Sequence, residues 1–198
     1  MPSPLISRTG LLAWFRSLPM AVVVAFGIVS AVYCFAPGPL FKAAYPLAYR
    51  DQIATSAAAH GVDPYLVAAV VKTESGGDAG ARSSKGAQGL MQLMPETARD
   101  MVAKKLVDGT RYNPDNLDDP ATNIEFGCAY LSYLIRYFNG DADRAIAAYN
   151  AGMGNVNDWA REATVLHNAI TFPETQAYLI RVTNARDRYR QIYPNAFA

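Results

Sequence analysis

Apolar and polar positions alternate with helical periodicity along most of the chain after residue 45. Asp or Pro opens several of the apolar stretches, and Gly or Asn follows several of them; these are the usual start and stop signals of α-helices. No alternating run of β-branched residues appears after position 40, so no strand is predicted. Residues 47–192 should therefore form an all-α domain. Its helices are expected over residues 46–59, 63–74, 95–106, 119–138, 141–149, 155–162 and 173–191.

One of these helices carries a carboxylate inside its apolar stripe. With about 100° between successive residues, Glu74 lies about 80° around the helix from Leu66, in a stripe that also contains Val67. Burial disfavours a charged carboxylate, so the pKa of Glu74 should rise and leave the acid protonated near neutral pH. Glu74 could instead cap its helix or pair with an arginine, and periodicity alone leaves these alternatives open.

A glycine-rich stretch follows Glu74. Residues 76–89 contain five glycines and almost no large apolar side chain, which predicts a loop whose backbone can approach a ligand closely. The stretch matches neither of the glycine patterns that cradle phosphates. Gln92 comes next, and its amide both donates and accepts hydrogen bonds, which suits sugar hydroxyls or an acetamido group. The same residue could equally be an ordinary surface glutamine before a helix.

Four spaced blocks of residues occur in order between residues 45 and 185. They are Glu74-Ser75 with Ser83, the run 86–92 and the run 94–98; Asn123-Ile124 with Gly127, Tyr130 and Leu131; the run 148–152; and the run 172–175 with Tyr178. Together these blocks resemble the catalytic domain of the lytic transglycosylases, which has a lysozyme-like fold. The resemblance covers nearly all of the chain after its apolar N-terminal part.

The resemblance implies roles for particular residues. Glu74 is expected to be the catalytic acid, Ser83 to face the cleft near it, and Tyr149 to contact Glu74 or the sugar beside it. Tyr149 also shares a helix face with apolar neighbours, so its ring can pack inward while its hydroxyl reaches a cleft. Glu174 is expected to line the glycan groove. The other expected substrate-binding residues are Gln92, Asn150, Tyr130 and Met94.

The reaction implied by the resemblance is cleavage of the β-1,4 bond between N-acetylmuramic acid (MurNAc) and N-acetylglucosamine (GlcNAc) in peptidoglycan. Most glycosidases use two carboxylates, whereas the nearest acid after Glu74 is Asp78, in the glycine-rich stretch. One acid suffices if the C2 acetamido group of the substrate stabilises the oxocarbenium-like state. Glu74 would act first as an acid and then as a base on the C6 hydroxyl, closing a 1,6-anhydro ring without water.

Two alternatives stay open. The first is a hydrolytic muramidase of goose-lysozyme type, which would need a carboxylate such as Asp78 to hold a water molecule. The second is a non-catalytic cell-wall-binding or assembly component that keeps the fold, although binding alone does not need a buried acid. In each case the expected partners are peptidoglycan strands, together with cell-wall or secretion machinery that the sequence does not identify.

The N-terminal part of the chain differs in composition from the rest. No charged residue occurs between Ser17 and Phe41, a run long enough to span a bilayer. Arg8 and Arg16 precede this run and no acid occurs before Asp51, so the positive-inside tendency keeps the N-terminus in the cytoplasm.

This pattern predicts a domain order with a membrane anchor. Residues 1–16 should be cytoplasmic, residues 17–40 a single transmembrane helix, and residues 41–46 a linker. The domain over residues 47–192 would then lie on the extracytoplasmic side of a bacterial inner membrane. The alternative is a signal peptide that is cleaved after Ala31.

Charge and cysteine content argue against several other functions. The chain carries 18 Lys and Arg against 17 Asp and Glu, and it has no basic run beyond Lys104-Lys105, so no nucleic-acid partner is expected. The two histidines are unrelated in spacing, so no metal site and no cofactor is expected. Cys128 recurs with apolar residues at helical spacing, which indicates a small buried side chain rather than half of a disulfide.

Overall fold

The computed structural model describes residues 19–30, 37–162 and 169–198. The chain divides into two units, Met1–Ala44 and Tyr45–Ala198. In the first unit, helix α1 covers residues 19–30 and helix α2 covers Pro37–Ala44. The large apolar side chains of α1 are exposed.

The expectations for the N-terminal part agree only partly with helices α1 and α2. The cytoplasmic segment expected over residues 1–16 lies outside the described residues, and so do residues 17–18 and 31–36 of the expected anchor. Within the described ranges, none of the helices is both long enough and apolar enough to span a membrane. Most of the segment expected to be a linker, residues 41–46, is helical as part of α2.

Helices are the regular secondary structure of the second unit in its described residues, and loops join them. No strand forms there, and the only extended pairings described are isolated bridges in the loop around Gln88. The prediction of an all-α domain is therefore confirmed for this part of the chain. Its helices are α3 (Arg50–His60), α4 (Pro64–Glu74), α5 (Pro95–Ala103), α6 (Pro120–Tyr137), α7 (Ala142–Ala151), α8 (Met153–Glu162) and α9 (Pro173–Ile192).

Aspartates define the starts of three helices. The side chains of Asp63, Asp119 and Asp141 accept hydrogen bonds from backbone N–H groups in the first turns of α4, α6 and α7. Proline follows at the first helical position of α4 and α6, where no N–H is needed. Gly61 ends α3 with a φ of 64°, a left-handed conformation that costs glycine little. These local signals explain why the predicted boundaries agree so closely with the structure.

Helix α6 runs through the centre of this unit. Eleven of its 18 residues are buried, and it packs against α3, α5 and α7. Helix α4 lies against α9, and its Val67, Ala69 and Val70 are fully buried. Burying each of the two valines supplies about 1.5–3 kcal/mol, so this face fixes α4 firmly in place. The last residue of α4, Glu74, is thereby held at the edge of the core.

Candidate active site

Glu74 ends α4, and the residue after it ties the helix to the glycine-rich loop. The Ser75 hydroxyl lies within hydrogen-bonding distance of two backbone carbonyl oxygens, those of Val71 at 3.1 Å and Leu90 at 2.8 Å. It also accepts a hydrogen bond from the N–H of Gly77 at 3.1 Å. These hydrogen bonds join the C-terminal end of α4 to the loop and fix the backbone that carries Glu74.

The Glu74 carboxyl is partly buried and has a specific partner. The Tyr178 hydroxyl, from α9, donates a hydrogen bond of 2.7 Å to Oε1 of Glu74. Burial raises the pKa of Glu74 to about 7, against the lowering influence of the Tyr178 hydrogen bond and the nearby positive charge of Arg181. Glu74 is therefore poised to give or take a proton at neutral pH, in agreement with the prediction from its position in the apolar stripe.

A buried asparagine organises the loop beside Glu74. Asn123, on α6, accepts a hydrogen bond from the N–H of Met91 at 2.7 Å. Its amide nitrogen donates to the carbonyl oxygens of Gln88 at 2.9 Å and Leu117 at 2.8 Å. Gly89 passes so close that an added Cβ would lie 2.2 Å from the amide nitrogen of Asn123, and its φ is +75°. Only glycine fits this approach.

Met91 connects this loop to a tyrosine on α7. The Tyr149 hydroxyl donates to the Met91 carbonyl at 2.8 Å. A Cβ added at Gly127 of α6 would lie 2.1 Å from the Met91 sulfur, so that glycine leaves the space that Met91 fills. The position of Met91 thus depends on contacts from α6 and α7 together.

Tyr149 lies close to Glu74, but its hydroxyl donates its hydrogen bond to the Met91 carbonyl. Burial raises the pKa of Tyr149 well above its usual value, and the charge of Glu74 adds to this rise. The ring of Tyr130 packs against it, with 5.3 Å between ring centroids. The hydrogen bond to Glu74 comes from Tyr178, whereas Tyr149 was the tyrosine expected from the sequence to contact the acid or the sugar. Tyr149 and Tyr130 thus form a pair of packed rings, of which Tyr149 lies close enough to Glu74 for the two groups to interact electrostatically.

Gln92 has less hydrogen-bonding freedom than its residue type suggests. Its backbone takes a φ of 46°, and its amide nitrogen donates to the carbonyl oxygens of Ala81 at 3.0 Å and Gly89 at 2.9 Å. Both amide hydrogens are thereby committed to the loop. Its carbonyl oxygen Oε1 accepts no hydrogen bond from the described residues, so Gln92 suits an N–H or O–H donor on a ligand.

Ser83 and Met94 lie on the exposed side of the same loop. The Ser83 hydroxyl accepts the N–H of Ala87 at 3.0 Å and so stabilises a tight turn. The methyl group of Met94 lies 4.0 Å from the position that a Cβ on Gly86 would take. These contacts give the loop its shape and leave one face of each side chain open to solvent.

The end of α7 meets the start of α9 on the side of the unit where Tyr178 lies. The Thr175 hydroxyl donates to Oδ1 of Asn150 at 2.8 Å. Glu174 is exposed in the first turn of α9, where a negative charge is favoured by the helix dipole. Because residues four apart share a helix face, Glu174 and Tyr178 point to the same side of α9. Asn150 and Glu174 can therefore border the region around Glu74.

In the described part of the chain, no group of three or more His, Cys, Asp or Glu side chains could hold a metal ion.

A family model described as the transglycosylase SLT domain matches residues 51–170 of this chain. The chain is 34% identical over 155 residues to a soluble lytic murein transglycosylase of Escherichia coli (strain K12), covering 75% of this chain and 24% of that protein. It is 31% identical over 190 residues to a membrane-bound lytic murein transglycosylase C of Edwardsiella ictaluri (strain 93-146), covering 83% of this chain and 52% of that protein.

A solved structure agrees with these matches. An inactive mutant of the lytic transglycosylase Slt from Pseudomonas aeruginosa superimposes with a TM-score of 0.73 at 31% sequence identity, covering 91% of this chain and 30% of that one. The chain thus spans about a quarter of the length of the soluble E. coli relative that it matches.

Proposed function

The chain belongs to the transglycosylase SLT domain family, and we propose on this premise that it is a peptidoglycan lytic transglycosylase. It would cleave the β-1,4 bond between MurNAc and GlcNAc without consuming water. The observation that carries the proposal is the Glu74 carboxyl, which is partly buried, has a pKa of about 7 and is held by Tyr178. Among the described residues it is the carboxyl group whose pKa rises into the neutral range.

The proposed reaction uses Glu74 twice. Protonated Glu74 donates its proton to the glycosidic oxygen as the C1–O bond of MurNAc breaks, which frees the 4-hydroxyl of GlcNAc. The acetamido group of MurNAc stabilises the positive charge at C1. The ionised Glu74 then takes the proton of the C6 hydroxyl as O6 bonds to C1, which closes the 1,6-anhydro ring and restores the acid. A pKa near the working pH serves both steps.

The surrounding residues support these two protonation states. The Tyr178 hydroxyl stabilises the ionised form of Glu74, which arises between the two steps. Burial of the Glu74 carboxyl, beside the buried Tyr149, keeps it protonated at the start. Gln92 offers its free carbonyl oxygen to the acetamido N–H. The other residues proposed to line the glycan strand are Ser83, Met94, Asn150 and Glu174.

A specific observation favours this reaction over hydrolysis. The muramidase alternative needs Asp78 to hold a water molecule, but Asp78 is exposed in the loop and its Oδ1 accepts the N–H of Gly80 at 2.9 Å. An exposed carboxylate that closes its own turn is poorly placed to activate water in a partly buried site. The non-catalytic alternative gives no reason for a carboxyl group with a raised pKa.

Mass analysis of the fragments released from purified peptidoglycan sacculi tests the proposal. The expected fragments end in 1,6-anhydroMurNAc, and the Glu74→Gln protein serves as the control that should release none. Fragments with reducible MurNAc ends would instead establish a muramidase. The absence of any release from sacculi and from isolated glycan strands would favour the non-catalytic alternative.

The location follows from the proposed substrate, which lies outside the cytoplasmic membrane. We propose that the unit Tyr45–Ala198 works on that side, with residues 17–40 as a single-pass anchor. The uncharged run from Ser17 to Phe41 and the arginines before it support this placement. One relative is itself named as membrane-bound. Cell-wall or secretion machinery would be its protein partners there.

A further inference from the structure

A pocket of about 240 Å³ lies where α3 meets the start of α6 and the loop that precedes α6. Its lining residues are Asp51, Gln52, Thr55, Ser56, Tyr112 and Ala121. None of them is among the residues described around Glu74. The proposed reaction therefore leaves this pocket without a role.

The floor of the pocket is held by a cluster of polar side chains. Ser56, the buried polar residue of the lining, donates a hydrogen bond of 2.6 Å from its hydroxyl to Oε2 of Glu125 on α6. The other carboxyl oxygen of Glu125 lies 2.8 Å from Nε2 of His60 on α3. The Ser132 hydroxyl of α6 donates to the His60 carbonyl at 2.7 Å. These contacts join α3 to α6 and fix the position of Ser56, so the pocket is already formed before a ligand binds.

The outer part of the lining offers hydrogen-bonding groups that the described protein leaves unused. Asp51, Gln52 and Thr55 are exposed and lie within about 100° of one another around α3. Among the described residues, neither these side chains nor the Tyr112 hydroxyl has a hydrogen-bond or ion-pair partner. The set comprises a carboxylate that accepts hydrogen bonds, and an amide and two hydroxyls that both donate and accept them. It therefore suits a ligand with several donors and several acceptors.

Tyr112 adds an aromatic surface to this polar lining. Its ring is half-buried and packs against the core. The Arg111 guanidinium lies 5.2 Å from the ring centre, and its positive charge also acts on Glu125. The carboxylates of Asp51 and Glu125 disfavour an anion in the pocket, whereas Arg111 reduces the advantage that a cation would have. A neutral ligand with an apolar face therefore fits this lining best.

We propose that this pocket binds one sugar of a peptidoglycan glycan strand, as a second contact apart from the two sugars that react at Glu74. A pyranose ring carries hydroxyls around its rim and C–H groups on its faces, so its rim matches the side chains of α3 and a face matches the Tyr112 ring. The volume of about 240 Å³ is below the range for drug-sized ligands, about 300–1,000 Å³, which limits the occupant to one sugar. The inference rests on the proposed function for the identity of the strand.

A second contact changes how the protein meets long substrates. It holds the protein on long strands and on sacculi, which raises the effective concentration of cleavable bonds at Glu74. A tetrasaccharide that binds at Glu74 has few sugars left to reach the pocket, so its turnover should not depend on the pocket. The effect of the pocket should therefore grow with the length of the strand.

Retention on purified sacculi tests the inference without needing turnover. The full chain with Glu74→Gln, in detergent, is sedimented with sacculi before and after Gln52→Ala and Thr55→Ala are added together. Both positions are exposed on a helix, where alanine is well tolerated. We expect affinity to fall by about three- to tenfold, the loss expected for one or two neutral hydrogen bonds. Tyr112→Leu, which keeps an apolar side chain but removes the ring, should weaken retention by a similar factor.

The matched control is Gln191→Ala, which removes an exposed glutamine near the end of α9. It should leave retention unchanged. Equal retention of the Gln52→Ala, Thr55→Ala protein and its parent would overturn the inference. It would also be overturned if Asp51→Asn lowered affinity for spermidine without changing retention on sacculi, because the pocket would then bind cations.

Turnover by the chain with Glu74 intact separates this inference from the proposed function. The Gln52→Ala, Thr55→Ala protein should show a higher KM on long glycan strands, with unchanged kcat and with unchanged KM on a tetrasaccharide. If anhydro products form but KM on long strands is also unchanged, the pocket assignment is wrong while the reaction stands. If no anhydro product forms, the reaction is wrong, and retention on sacculi still decides whether the pocket binds glycan.

Discussion

The hydroxyl of Tyr178 donates a hydrogen bond of 2.7 Å to Oε1 of Glu74, across 104 residues of sequence. Two opposing influences meet in this pair. Burial favours the neutral carboxyl, whereas the tyrosine hydroxyl stabilises the ionised form, and the pKa settles at about 7. The carboxyl group can therefore change its protonation state at neutral pH, as the proposed reaction requires.

Replacing Tyr178 with Phe should raise the pKa of Glu74 further. The substitution removes a hydrogen bond to the ionised carboxylate and leaves the burial in place, so the charged form loses stability. Because Glu74 must begin protonated, the alkaline limb of the kcat/KM profile should move to higher pH by about one unit. The pH dependence of turnover on isolated glycan strands measures this shift.

Tyr189→Phe is the matched control for this prediction. Tyr189 is also buried on α9, but its hydroxyl donates to the carbonyl oxygen of Pro46 at 3.2 Å. The pH dependence of kcat/KM for Tyr189→Phe should coincide with that of the unchanged protein. A Tyr178→Phe profile that also coincides, or that moves to lower pH, would mean that the hydrogen bond does not set the pKa of the acid.

Replacing Glu74 with Gln should abolish the reaction and stabilise the fold above neutral pH. Loss of the proton donor should lower kcat by about 10²-fold or more. The folded-state pKa of Glu74 is raised, so its contribution to stability is full below the unfolded value and is lost as pH rises through about 7. Gln stays neutral, so the variant should exceed the original protein by up to ~3 kcal/mol above pH 7 and match it in acid.

Urea unfolding at several pH values measures the stability difference, and release of muropeptides measures turnover. Glu96→Gln is the control, since Glu96 is exposed on α5. The Glu96→Gln protein should retain full activity, and its free energy of unfolding should show no pH-dependent increase over that of the unchanged protein. Wild-type turnover in the Glu74→Gln protein would place the acid elsewhere in the chain.

The helices could be predicted from sequence because their signals are local. Asp63 and the proline after it mark the start of α4, and the side-chain hydrogen bond of Asp63 to the N–H of Tyr65 is present as the residue types suggest. The largest boundary difference is at α3, expected from residue 46. It begins at Arg50 because Tyr49 adopts a left-handed φ of 57°. No side-chain pattern signals that conformation for a tyrosine.

The contacts of the site could not be predicted in the same way. Periodicity places Glu74 in the apolar stripe of its helix, but it does not say that Tyr178 of another helix meets it there. The commitment of Gln92 to backbone carbonyls likewise depends on its φ of 46° and on the path of the loop. Asn123 gives the one usable signal, since an asparagine among apolar residues near the start of a buried helix must satisfy its amide somewhere.

Replacing Gly127 with Ala should lower activity through Met91. The new Cβ would lie 2.1 Å from the Met91 sulfur and must displace it, although alanine is intrinsically the better helix former. The Met91 carbonyl would then lose its position against Tyr149. We expect destabilisation of about 1–3 kcal/mol and a lower kcat, measured by urea unfolding and by turnover.

Gly154→Ala is the matched control, because Gly154 lies in α8 with open space around its Cα. Alanine there should leave turnover unchanged and raise stability by about 0.5–1 kcal/mol. If both substitutions raise the free energy of unfolding, Met91 does not need the space left by Gly127. The proposed effect of Gly127 on activity through Met91 would then be wrong.

Replacing Glu125 with Gln should make the free energy of unfolding less dependent on pH in the acid range. Burial raises the pKa of Glu125, but hydrogen bonds from His60 and Ser56 and nearby positive charges outweigh it, so the net shift is downward. A lowered carboxyl pKa contributes stability that is present above the unfolded value and is lost as pH falls through the folded value. The variant should be less stable at neutral pH and should lose less on acidification.

Urea midpoints measured from neutral pH down to strong acid give this profile. Asp115→Asn provides the control, since Asp115 pairs with Arg99 on the surface and such exposed pairs contribute little. Its profile should run parallel to that of the unchanged protein. If the urea midpoints of Glu125→Gln also run parallel to those of the unchanged protein, the contacts of Glu125 with His60 and Ser56 do not couple folding to pH.

The last prediction concerns the membrane anchor. If residues 17–40 span the bilayer, the full-length chain should stay with membranes in high salt and in carbonate and should be released by detergent. Protease added to spheroplasts should digest the unit Tyr45–Ala198, because Arg8 and Arg16 retain the N-terminus inside. Replacing both arginines with Glu should reduce the digested fraction, since it removes the charges that set the orientation. Recovery of a soluble mature protein that begins at Val32 would show that the segment is a cleaved signal and that no anchor is retained.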